Sequence, residues 1–126
     1  MGFLDGLLGN ASAISEKDVQ EELQPILFPG ETVDKAYKLI RDMFVFTDKR
    51  LILIDKQGVT GKKVEYMSLP YKSIARFSIE TAGTFDLDAE LKIWISSAVE
   101  PTVSKQFKKD SNVYDVQRIL AEKVLK

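Results

Sequence analysis

The 126-residue chain contains neither cysteine nor histidine. Disulfides, thiolate nucleophiles, imidazole bases and the zinc sites built on these ligands are excluded with them. Charge of either sign is not in excess, since eighteen Lys and Arg stand against nineteen Asp and Glu. With no positive field to displace counterions from a phosphate backbone, nucleic acid is not an expected partner. Long apolar runs are missing from the start of the chain. MGFLDGLLGNASAIS has no basic residue before Lys17 and no apolar run longer than two, which suits neither a signal peptide nor a membrane span. A cytoplasmic protein is expected. Met1-Gly2 is not a myristoylation site, because Gly6 stands where that pattern needs Ser or Thr.

What is present is a hydrophobic content of 44%, enough for one domain with a single core. Phe3, Leu4, Leu7 and Leu8 have helical spacing but are interrupted by Gly2, Gly6 and Gly9, so residues 1–14 read as an arm that docks on something else. The domain proper then spans 15–126. Ser15, followed by Asp18, caps a short helix carrying Val19 and Leu23 on one side, and Pro25 ends it. From Thr32 the pattern becomes β-branched and aromatic, with seven runs at 32–40, 42–47, 50–55, 62–68, 74–81, 86–96 and 102–108. Helical period returns in DSNVYDVQRILAEKVLK, where Val113, Val116, Ile119, Leu120 and Val124 share a face behind a Ser111 or Asn112 cap. The expected fold is mainly β: a seven-stranded antiparallel barrel or sandwich capped by a C-terminal α-helix, with a short N-terminal helical segment.

Three motifs invite a chemical reading. QGVTGKK at 57–63 resembles a phosphate loop, but two residues separate Gly58 and Gly61 where four are needed, and Lys63 takes the place of the hydroxyl. A strand rather than a helix follows, so the segment reads as a hairpin loop. Asp86, Asp88 and Glu90 form an acidic row on one side of a strand whose other side is Leu87, Ala89, Leu91, Ile93 and Ile95. Such side chains start about 6.6–7 Å apart and do not converge on one ion, so no metal is expected. Folding the preceding strand back around 82–84 would place Ile79 opposite Leu87, Phe77 opposite Ala89 and Arg76 opposite Glu90, making the row a cross-paired solvated face. The pair MFVFT and RLILI is apolar on both sides, with Phe44, Phe46, Ile52 and Ile54 assigned to one and Met43, Val45, Leu51 and Leu53 to the other. A half-exposed antiparallel pair should not be, so its second face must be covered by the arm, by a helix or by another subunit. The intervening TDKR reads as a tight turn in which Thr47 and Asp48 bond the backbone.

TDKRLILIDKQGVTGKKVEYMSLPYKSI, then RFSIETAGTFDLDAELKIWI, then NVYDVQRILAEKVL, together resemble the bacterial pleckstrin-homology-like domain family over positions 15–126. TDKRL also resembles a turn of the related GRAM domains. The resemblance implies a pleckstrin-homology barrel with a capping helix, no enzymatic activity, and assembly of identical subunits into closed rings; no cofactor is expected. The expected partner is therefore the chain itself, with Phe44, Phe46, Ile52, Ile54 and Trp94 as the candidate interface. The alternative is a lipid- or anion-binding module at a membrane surface, using Lys38, Arg41, Lys56, Lys62 and Lys63. In eukaryotic relatives basic residues beside the first hairpin loop hold phosphoinositides; here that loop carries few cations and an acid, Asp42.

Overall fold

The computed structural model describes residues 12–13, 15–39, 42–57, 63–81, 89–107 and 113–126. The element order is β1 (Ser12–Ala13), α1 (Glu16–Glu22), β2 (Val33–Lys38), β3 (Asp42–Thr47), β4 (Arg50–Gln57), β5 (Lys63–Pro70), β6 (Ile74–Thr81), β7 (Ala89–Ile95), β8 (Val103–Phe107) and α2 (Val113–Val124). All strand pairs are antiparallel and fall into a sheet ordered β1-β2-β3-β4-β5 and a second ordered β6-β7-β8. The seven long strands match the seven expected runs. Among the described residues they form two packed sheets rather than one closed barrel. Ser12 and Ala13, within the segment read as an arm, extend the first sheet by pairing with Lys38 and Tyr37. Phe3, Leu4, Leu7 and Leu8 lie outside the described residues, as do Ser111 and Asn112.

The β3–β4 hairpin turns through Asp48 and Lys49. A two-residue loop sets even-numbered residues of β3 opposite odd-numbered residues of β4: Phe44 faces Leu53, Phe46 faces Leu51, Val45 faces Ile52 and Met43 faces Ile54. The face assignment made from sequence is corrected accordingly. Phe44 and Phe46 share a side with Leu51 and Leu53, and Ile52 and Ile54 share the other with Met43 and Val45.

Each side has its own core. Phe44, Phe46, Leu51 and Leu53 pack toward the second sheet, against Leu91, Ile93, Val103 and Phe107, and against Val113, Val116 and Leu120 of α2. Met43, Val45, Ile52 and Ile54 pack against Val19 of α1 and Leu23, which caps its C-terminal end. The chain's own helix thus covers the second apolar face. α1 forms because Ser15 Oγ accepts from the Asp18 amide at 3.4 Å while Glu16 and Asp18 suit the positive end. At seven residues it is too short to persist alone, and burying Val19 and Leu23 contributes about 1.5–3 kcal/mol apiece.

The β6–β7 register also differs from expectation. Ile79 faces Leu91, Phe77 faces Ile93 and Arg76 faces Trp94, a slip of four residues from the pairing read off the sequence. The described pairing runs as far as Thr81 opposite Ala89. An even slip keeps the faces: Ala89, Leu91 and Ile93 are buried, while Glu90, Lys92 and Trp94 lie on the other side.

Candidate functional site

The loop before β2 delivers a densely hydrogen-bonded polar group, Glu31. Phe28-Pro29-Gly30-Glu31 is a tight turn in which the Glu31 amide donates to the Phe28 carbonyl at 3.0 Å. Pro29 presets its backbone, and Gly30 adopts the positive φ of 92° that the third position of such a turn requires. The turn drives Glu31 inward, leaving the residue 2% exposed. Its carboxylate accepts from Arg50 Nε and from one terminal guanidinium nitrogen, both at 2.9 Å, and from the Thr47 hydroxyl at 2.7 Å. Arg50 reaches on to the Ile26 carbonyl at 3.0 Å and Ser68 Oγ at 2.7 Å. Burial pushes the Glu31 carboxyl up, but hydrogen bonds from Arg50, Thr47 and the Phe28 amide outweigh it and hold the group below the usual carboxylate range. Thr47 Oγ1 also accepts from the Lys49 and Arg50 amides, and Asp48 accepts from the Thr32 amide at 2.9 Å. TDKR is therefore the expected structural turn, and its Arg50 pairs with Glu31, an ion pair that the sequence reading missed. Every group of this node is occupied within the chain, so it is a lock between loop, hairpin and sheet edge.

A cleft lies at the other end of the same strands. Across β3, β4 and β5 the cross-strand partners form layers: Phe46, Leu51 and Leu69, then Phe44, Leu53 and Met67, then Asp42, Asp55 and Glu65. The first two layers feed the core. The third is acidic. With Val103, Ser104 and Lys105 of β8 opposite, these residues line a cavity of about 240 Å³. Lys105 Nζ lies 3.1 Å from Asp42 and 4.0 Å from Asp55. Burial and the neighbouring Asp55 raise the Asp42 carboxyl above the usual range, against the opposing pull of Lys105. Nothing in the linear sequence marked this row, because its members are far apart until β-pairing aligns them.

The candidate interface residues fare differently. Phe44, Phe46 and Ile52 are 0% exposed and Ile54 is 1% exposed, so these four are core residues of the single chain and offer no surface. Trp94 stays partly exposed on the outer face of β7, where its indole N–H donates to the Val99 carbonyl at 3.2 Å and the Arg76 guanidinium stacks 4.5 Å from its ring centroid. Of the candidate anion ligands, Lys38 is corrected: it is buried, with its ammonium donating to the Leu39 carbonyl at 3.2 Å. Lys56 is half-buried near the end of β4 and Lys63 is exposed at the start of β5, whereas Arg41 and Lys62 lie outside the described residues. So do Gly58 and Gly61, although the strands that QGVTGKK joins pair as the hairpin reading requires, ending at Gln57 and Lys63. Asp86 and Asp88 also fall outside. Glu90 accepts from Ser104 and lies 3.8 Å from Lys92, which bonds Glu80 at 3.1 Å. Among the described residues no group of three potential ligands is arranged to hold a metal.

Two antiparallel sheets packed face to face, with an amphipathic helix closing one side, define a pleckstrin-homology-like domain. A family model described as bacterial PH domain matches residues 2–124, and the chain belongs to that family. It is 69% identical over 121 residues to the uncharacterised protein YjqA of Bacillus subtilis (strain 168), covering 96% of this chain and 97% of that one. Among solved structures, a pleckstrin homology domain from Shewanella amazonensis SB2B is similar at 56% identity and a TM-score of 0.83, covering 99% of this chain and 100% of the other. A protein with a pleckstrin-homology domain from Shewanella loihica PV-4 matches at 54% identity and a TM-score of 0.79, over 92% and 98%.

Proposed function

We propose that the chain is a non-enzymatic interaction module that assembles with copies of itself through strand edges, with a ring as the closed solution. The observation that carries this reading is β5, an eight-residue strand at the outer position of the first sheet with no strand partner on its far side among the described residues. Such an edge presents unpaired backbone donors and acceptors, and soluble proteins usually blunt or cover it. Here Lys63 and Pro70 guard only the ends, and Tyr66 in the middle is 44% exposed. Among the described residues, the three-stranded sheet has β6 and β8 as its outer strands. Joining β5 of one copy to one of these on the next is a head-to-tail contact, which closes into a ring if the rotation permits. Trp94 is retained as a flanking contact; the apolar faces of β3 and β4 are not part of the interface.

Light scattering at high micromolar concentration tests the reading. The expected mass is a multiple of the single chain, falling to one chain in Tyr66→Glu with an unchanged circular dichroism spectrum. A wild-type protein that runs at the mass of one chain overturns it. For the lipid- or anion-binding alternative, only Lys56 and Lys63 of its five candidate cations remain as described residues outside the core, and the acidic layer beside them opposes an anionic headgroup.

A further inference from the structure

The two outer strands of the three-stranded sheet differ in what they offer to β5 of a neighbouring copy. β8 has five residues, and its side chains are engaged within the chain: Val103 and Phe107 are buried, Ser104 bonds Glu90, and Lys105 lies against Asp42 and Asp55. β6 has eight residues, as β5 has. Its Arg76 and Glu80 are exposed, Phe77 and Ile79 are only partly buried, and no strand pairs with its far side among the described residues.

We propose, on the assembly reading above, that β5 of one copy pairs antiparallel with β6 of the next, with Lys63 facing Glu80. Val64 then faces Ile79, Glu65 faces Ser78, Tyr66 faces Phe77 and Met67 faces Arg76. Opposite charges and apolar pairs directly across a ladder stabilise it, and this register supplies both. A slip of one residue sets Val64 against Glu80 or Lys63 against Ile79, and a slip of two sets Glu65 against Glu80 or Tyr66 against Ala75. Glu80 has room for a second cation: its side chain is 67% exposed and holds Lys92 of its own chain through Oε1 at 3.1 Å. Arg76 stacks on Trp94, which places the indole beside the last facing pair. The ladder ends there, because the β6 register shifts between Ile74 and Arg76, and Pro70, which has no amide hydrogen to give, lies beyond it. Because β5 and β6 are different edges, the contact is head-to-tail.

Sedimentation equilibrium of the full chain over a concentration series reads the contact. Lys63→Glu and Glu80→Lys each set like charges face to face and should each weaken association about fivefold. The double variant restores an opposite pair and should return to within about twofold of the wild type. Both positions are exposed, and circular dichroism checks that the variants keep the fold. A wild type at the mass of one chain overturns the assembly reading and this contact together. A wild type that assembles while the double variant stays as weak as the single ones, or while neither single variant weakens it, overturns the β5–β6 contact alone.

Discussion

Two carboxylates, one at each end of the same sheet, show how differently the fold treats like charges. Glu31 is buried with three charge-assisted or hydroxyl hydrogen bonds, so its ionised form is favoured in the folded state. A depressed carboxyl contributes stability above its unfolded value near 4.3 and loses it as the pH falls through the lowered folded value. Acid unfolding followed by fluorescence should therefore lose a phase of stability below about pH 4, and Glu31→Gln should flatten that dependence. Arg50→Met leaves the buried carboxylate without its cation and should cost about 3 kcal/mol in urea unfolding. Asp42 has the opposite sign. Its raised carboxyl means that ionisation opposes folding, so stability from this group is present at low pH and is lost as the pH rises through the folded value. Asp42→Asn should leave the melting temperature at pH 7 unchanged or raise it, even though it removes one contact to Lys105. Thr47 and Asp48 were legible as turn chemistry. The partnership of Glu31 with Arg50 was not, because nothing local relates two residues on separate turns.

At the level of elements, α1 has to be held by what it covers. Its cap was visible in the sequence, as were Val19 and Leu23 on one face. What those two residues bury against could not be read there, since arm, helix and neighbouring subunit all satisfied the same apolar pattern. Leu23→Ala should destabilise the protein by about 2–5 kcal/mol, and hydrogen exchange should show faster loss of protection along β2 and β3 than along β7. Uniform loss across both sheets would mean that α1 is not a separable cover. The β6–β7 pairing illustrates the complementary limit. Period-2 alternation fixed the inward residues correctly, but register depends on where the connection closes, and a slip of four residues preserves every face.

Across the molecule, β3 and β4 serve two cores at once, which explains a hairpin apolar on both sides without any appeal to a second subunit. Phe44 and Phe107 join the sheets edge to face, with ring centroids 5.7 Å apart. Phe107→Ala should cost about 3–5 kcal/mol and expose dye-binding apolar surface at denaturant concentrations where the wild type exposes none. α2 closes the same core, and its last turn is tied to β2 by the Lys123–Asp34 ion pair, with Lys123 placed where the negative C-terminal end of the helix favours a cation. None of the described helices is long and apolar enough to cross a membrane. The sequence alone determined the order of elements, the inward face of β7 and α2, and the absence of thiol and imidazole chemistry, because these depend on residue type and on periods of two and 3.6. Only the tertiary structure decided that Phe44, Phe46, Ile52 and Ile54 belong to the interior, and that Asp42, Asp55 and Glu65 stand in one row. Pairing between strands sets both outcomes, and it brings together residues whose separation along the chain carries no signal.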